Sequence, residues 1–232
     1  MPPVLPSPRE VLSELRAPIR QHRIRSADHI RVMQAMKDRQ AIFVHVPKTG
    51  GKSISSELYG TELHEGFGHA TALFYQELFG AISYKKFFSF GFVRNPWDRA
   101  YSAYRFARAG GFGFKKGLEL QQSIGNRDFN TFVREWLAVE DISRYVIFRP
   151  QCDFICDRSD SVLVERVCRF ERFDEEYAFL RQHLRLGRAP KHINSSESGP
   201  GYREIYDADA RAIIRRLYAR DIAAFGYAFG PD

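Results

Sequence analysis

Cysteine is scarce in this chain of 232 residues, which carries only Cys152, Cys156 and Cys168. Cys152 and Cys156 are spaced CxxxC with no second pair to complete a zinc set, and Cys168 sits in an apolar run. The three are expected to be reduced and buried, which argues against a disulfide scaffold and for a reducing compartment. Long hydrophobic runs are also missing: none approaches the ~20 residues needed to span a bilayer. The N-terminus, MPPVLPSPREVLSELRAPIR, lacks the apolar stretch after a basic start that marks a secretory leader. A soluble, cytoplasmic protein with no integral membrane segment is therefore expected. Repeats and low-complexity tracts are absent as well.

What is present is a globular composition, 44% hydrophobic and 27% charged, with a net charge of +7. Such an excess favours an anionic ligand. The basic residues are scattered rather than gathered in one run, so a compact phosphate-bearing ligand is expected and nucleic acid is not.

Residues 1–40 hold four early prolines and then basic helical stretches, and read as an N-terminal helical extension without a legible role. After them, apolar runs alternate with helical periodicity. Ala41–Val46, Phe87–Val93 and Ser161–Phe170 are expected to be buried strands. Helices are expected from Ser53 to Leu58, after Asn95-Pro96, across 129–137, after Asp174 as N-cap, and over 207–225, where Ala210, Ile213, Ile214, Leu217 and Tyr218 share a face. Asn95 can cap, Pro96 suits the first helical position, and Asp98 stands where a capping-box acid would. The pattern predicts a single α/β domain with a parallel sheet flanked by helices, and ligands beyond the strands' carboxyl ends.

Two stretches carry chemistry. The first, HVPKTGGKS, breaks a strand into a glycine-rich turn and then a helix, which presents backbone N–H groups and a positive helix end to an anion. Its last three letters, Gly51-Lys52-Ser53, match the end of the GxxxxGK[ST] nucleotide loop. On that reading Lys52 meets the terminal phosphates and Ser53 a magnesium ion, and the protein is an ATP- or GTP-dependent kinase. Yet Val46 stands where the first glycine belongs, and FFSFGFV is followed by Arg94 rather than a metal-binding Asp. Read from the other lysine, the loop is PKTGG-x-S, with Lys48 at the turn, Gly50 and Gly51 allowing close backbone approach, and Ser53 opening the helix. The second stretch, FVRNPWDRAYSAY, places Arg94 at a strand end beside a helix start, with Ser102 eight residues on. An arginine fork there suits phosphate oxygens. Asp98 and Arg99 read as an ordinary surface pair, and Trp97, Tyr101 and Tyr104 as core.

The two stretches together resemble the 5′-phosphosulfate loop and the 3′-phosphate motif of sulfotransferases, enzymes that use 3′-phosphoadenosine 5′-phosphosulfate (PAPS). That loop commonly reads PKTGGTS, so Lys52 replaces a threonine. The similarity runs over most of residues 41–229 and is nearest to the carbohydrate branch, through GHATALFYQELFG, FRPQCDFIC, RFERFDEEYAFL, HINSS, YREIY and DIAAFGY. It implies a P-loop-like fold with a sulfotransferase domain over 41–232. It implies PAPS held by Lys48, Thr49, Gly50, Gly51, Lys52, Ser53, Arg94 and Ser102, and no metal. Lys48 would stabilise charge on the leaving oxygens, and His69 in GFGHATA would be the base, with His64 and Glu65 as runners-up. Tyr202 and Arg203, with Lys191, flank a loop that could close over the nucleotide; Arg149 and Gln151 fall where relatives contact cofactor or acceptor. His45 reads as a buried support for the loop, and Lys115 and Lys116 as a solvated pair or a hold for an anionic acceptor. The acceptor implied is a hydroxyl on a saccharide or glycolipid. A non-catalytic nucleotide- or glycan-binding protein is the remaining alternative, and oligomeric state is not legible.

Overall fold

The computed structural model describes residues 5–60, 67–111, 113, 115–187 and 201–230. His64, Glu65 and Lys191 lie outside them. In chain order the elements are α1 (Pro8–His22), α2 (Ala27–Arg39), β1 (Ala41–Phe43), α3 (Gly51–Tyr59), α4 (Ala72–Phe79), α5 (Ala81–Tyr84), β2 (Phe88–Val93) and α6 (Pro96–Arg108). They continue as α7 (Lys115–Ile124), α8 (Phe129–Phe132), α9 (Cys152–Ile155), β3 (Arg166–Arg169), α10 (Phe173–Leu184), α11 (Tyr202–Ile205), α12 (Ala208–Leu217) and α13 (Ala219–Phe225). This is the expected α/β class. Among the described residues no helix is long and apolar enough to cross a membrane.

The chain forms two compact units: Met1–Val46, Gly50–Phe92 and Cys152–Ile193 in the first, Pro47–Thr49, Val93–Gln151 and Asn194–Asp232 in the second. They interleave along the sequence, the chain changing unit within the turn after β1 and again at the end of β2.

In the first unit β2 is the central strand of a three-stranded sheet, with β1 on one side and β3 on the other. β1 and β2 run parallel, with Ala41 opposite Phe88 and Phe43 opposite Phe90. Both read as continuous apolar runs because both faces are covered, as parallel sheets require. β1 is an outer strand, and the Phe43 N–H that would face a further strand donates to the buried Tyr59 hydroxyl at 2.7 Å. The strand is shorter than expected: Val44 N–H still reaches the Phe90 carbonyl at 2.8 Å, after which the chain turns toward Pro47.

The third strand is also shorter, four residues instead of the run from Ser161. Residues 161–163 fold back on α9 instead: Val162 bridges Cys156 in antiparallel sense, and Leu163 N–H donates to Ile155. The turn that permits this is closed by the Asp157 carboxylate, which accepts from the N–H of Ser159 and Ser161. α10 begins one residue before Asp174, with no side-chain cap, so Asp174 lies inside the first turn. There its charge still complements the helix dipole. The three cysteines are buried and unbridged. Burial pushes the Cys168 thiol up to about 12.

The second unit is built on aromatics. Trp97, Ala100, Ala103 and Ala107 of α6 pack with Phe129, Phe132, Trp136, Ile147, Phe148, Ala210, Ile214 and Tyr218. The buried stripe of α12 is the one the spacing predicts, with Ile213 and Leu217 at its margin. The helix expected over 129–137 is present, but from Val133 to Leu137 it widens into a π-turn. Lys115 and Lys116 open α7 rather than lying in a loop.

Candidate active site

The helix that opens the glycine-rich stretch, α3, starts at Gly51, two residues earlier than the spacing suggested. Gly50 is its N-cap with φ +79°, a left-handed conformation that side chains resist. Gly51 is required for another reason. A Cβ there would lie 2.1 Å from the His45 Cδ2 atom, so the imidazole occupies the space any side chain would need. His45 is thus a support for the helix start, as expected, although it is only partly buried. Gly51→Ala should displace that ring and destabilise the fold by about 1–3 kcal/mol, the usual range for forced overpacking; a thermal melt against wild type measures it.

His69 belongs to the same unit. Its Nδ1 lies 3.0 Å from the His45 carbonyl oxygen, and the two rings are 4.4 Å apart. A carbonyl can only accept, so Nδ1 carries the proton of this bond. Of the remaining first-unit candidates, Lys52 is exposed and Ser53 half-buried in the first turn of α3.

In the second unit Lys48 has φ +70°, in the region that costs a non-glycine residue roughly 1 kcal/mol or more. Its ammonium sits 4.0 Å from the centre of the Phe106 ring. Its carbonyl accepts from Arg94 Nη1 at 3.4 Å. Thr49 beside it is fully buried. Arg94 is held almost completely: the Asp98 carboxylate accepts from Nε at 2.7 Å and from Nη2 at 2.9 Å. Asp98 therefore orients the arginine instead of closing a capping box. Asn95 does cap α6, accepting from Trp97 N–H at 3.2 Å, while its amide donates to the Ala228 carbonyl.

Two residues do work that the sequence reading misplaced. Gln151, taken as a cofactor or acceptor contact, is fully buried. Its amide clamps the backbone of Arg94, accepting from the N–H at 2.8 Å and donating to the carbonyl at 2.9 Å. Its own N–H donates to the buried Asp221 carboxylate at 2.8 Å. Arg99, read as half of a surface pair, is buried at 1% exposure. It donates to the carbonyls of Pro47 at 3.4 Å, Ile147 at 3.3 Å and Arg149. One guanidinium thereby ties the turn carrying Lys48 to the segment 147–149. Helical spacing carried that signal, since Arg99 lies four and eight residues before the buried Ala103 and Ala107. Trp97 is core as expected, with Tyr101 and Tyr104 packed at its edge.

Ser102 lies half-buried on α6. Tyr202 donates from its hydroxyl to the Gly230 carbonyl at 3.1 Å, and the Arg203 guanidinium is 5.5 Å from the Tyr202 ring. A cavity in this unit, about 430 Å³, is lined by Leu120, Val146, Ile147 and Tyr145, with Lys116 and Arg144 among its polar residues. Among the described residues no group of three or more His, Cys, Asp and Glu side chains gathers as a metal site.

Compared with known protein families, the chain matches the sulfotransferase family model over residues 33–228. It belongs to the sulfotransferase family. Neither the curated proteins nor the solved structures give a match. The matched span starts inside α2 and takes in both phosphate-type stretches, HVPKTGGKS and FVRNPWDRAYSAY. As a sulfotransferase, the protein is an enzyme that moves a sulfuryl group to an acceptor, and the kinase reading of Gly51-Lys52-Ser53 gives way to it.

Proposed function

We propose that this sulfotransferase takes its sulfuryl group from PAPS and delivers it to a hydroxyl of a saccharide or glycolipid, with Lys48 and His69 as catalytic residues. The observation that carries the proposal is that the family match takes in both phosphate-type stretches, HVPKTGGKS and FVRNPWDRAYSAY. His69 Nδ1 lies 3.0 Å from the carbonyl oxygen of His45, the residue that leads into the turn, and donates to it, which orients the ring.

The residues fit such a donor. The first-turn N–H groups of α3, at Gly51, Lys52 and Ser53, lie at the positive end of a nine-residue helix. Lys48 and Thr49 precede them in the chain, and Arg94 and Ser102 supply the groups for a ribose 3′-phosphate, with Tyr202 and Arg203 available to the nucleotide. When bound, PAPS supplies the activated sulfuryl group. The protein's part is to hold and to move a proton. His69 Nε2 takes the proton of the acceptor hydroxyl as its oxygen bonds to sulfur. Lys48 and the helix-start N–H groups place positive charge where the leaving oxygens gain negative charge. No metal is needed for this division of labour.

The 430 Å³ cavity supports the acceptor class, its volume lying in the range usual for small-ligand sites. Tyr145 and Leu120 offer apolar surface for a sugar face, and Lys116 and Arg144 suit an acidic substituent. Through Arg99 the Ile147 wall is joined to Pro47, one residue from Lys48.

Calorimetric titration with the product nucleotide, adenosine 3′,5′-bisphosphate, tests the donor. Binding in the micromolar range is expected, unaffected by EDTA. Arg94→Ala should weaken it by roughly ten- to a hundredfold, the value of a charge-assisted hydrogen bond of ~1.5–3 kcal/mol. No binding at millimolar nucleotide would sink the proposal.

A further inference from the structure

The helix α1 is docked by the wrong face. In most surface helices the apolar stripe meets the protein and the polar stripe meets water. Here the reverse holds. The side of α1 that meets the rest of the first unit carries Glu10, Ser13, Glu14, Ala17 and Gln21, and apart from Ala17 it is fixed by polar bonds. Ser13 donates to the Gln76 carbonyl at 3.2 Å and Gln21 to the Leu78 carbonyl at 3.0 Å. The Glu14 carboxylate accepts from the N–H of Ile82 and Ser83, and Glu10 pairs with Lys85 at 2.6 Å. The opposite side presents Leu12 at 46%, Leu15 at 70% and Ile19 at 57% exposure, with Val11 at its edge and Leu5 just ahead at 86%. Along one flank of this stripe run Arg9, Arg16 and Arg23, seven residues apart and all exposed.

We infer that α1 lies in the surface of an anionic lipid bilayer, with Leu12, Leu15 and Ile19 entering the acyl boundary and Arg9, Arg16 and Arg23 meeting lipid phosphates. An interfacial helix needs an apolar face flanked by Lys or Arg, and this one has both. Charge decides the occupant. Because the acidic residues of α1 are turned inward and paired, the outward surface carries cations beside the leucines. A second copy docking there would bring its own arginines against them, whereas an anionic headgroup layer complements them. The inference is independent of the donor and acceptor assigned above.

Co-sedimentation of the full chain with vesicles of phosphatidylcholine, with and without phosphatidylglycerol, tests it. Binding to the phosphatidylglycerol vesicles is expected, weakened by salt and not competed by adenosine 3′,5′-bisphosphate. Arg9→Gln/Arg16→Gln/Arg23→Gln should reduce it by about a hundredfold, at about fivefold per arginine near such a surface. Leu15→Glu/Ile19→Glu should reduce it by at least about tenfold. Both variants alter exposed positions and should keep the circular dichroism spectrum and the activity on a soluble acceptor. Equal partition to both vesicle types, competition by the nucleotide, or unchanged binding of either variant would overturn the inference. So would a dimer in sedimentation equilibrium that Leu15→Glu dissolves, which would give the face to a second copy.

Discussion

Lys48→Ala is expected to lower kcat for sulfuryl transfer by roughly 10²–10³-fold, the cost of removing one preorganised group that meets developing negative charge. The variant should remain folded. Lys48 holds a left-handed backbone at φ +70°, which glycine adopts without strain, while the side chain's contact with Phe106 would be lost. The two effects are of similar size, so Lys48→Gly is expected to melt near the wild-type temperature while being as inactive as Lys48→Ala. A steady-state assay paired with a melt separates the two effects: an inactive but folded Lys48→Gly protein places the lysine in the chemistry. Full activity in either variant would remove it. The ammonium's position over Phe106 shows how the fold keeps this flexible side chain near one place, since a cation over an aromatic face gains about 0.5–2 kcal/mol.

Replacing His69 should produce the second large effect. His69→Asn can still donate to the His45 carbonyl but has no basic nitrogen, so kcat should fall by about 10²–10⁴-fold with little change in nucleotide binding. The variant should melt near the wild-type temperature, and added imidazole should restore part of the rate. These readouts distinguish a lost base from a lost support. A His45 variant should instead lower stability and activity together, because His45 packs on the start of α3 and also carries the carbonyl that orients the His69 ring. Normal turnover by His69→Asn would assign the proton to another group.

The α/β class was legible because each apolar run is bounded by a turn signal, and the start of α6 because Asn95 and Pro96 leave few alternatives. The length of β3 was not. Ser161–Val164 has a strand's composition, but its hydrogen bonds go back to α9, a pairing that depends on the Asp157 turn and on no periodicity. The loop residues Lys48, Gly50 and Gly51 were found from their pattern, yet the reason for Gly51 lay in a histidine six residues earlier. Gln151 shows the limit most clearly. A buried amide that pairs with another residue's main chain leaves no local trace, and 57 residues separate it from Arg94. Arg99 was readable in principle, because a charged residue in a stripe of alanines asks for buried partners.

The backbone of Arg94 hangs on Gln151, Gln151 hangs on Asp221, and the cap of the same helix hangs on the carbonyl of Ala228. Asp221 and Ala228 thus brace a turn that begins more than a hundred positions earlier. A chain shortened before Asp221 would take away the acceptors that hold the Gln151 N–H and the Asn95 amide. This segment is therefore a poor place to cut and a sensible place to look for distant variants that loosen the Arg94 backbone.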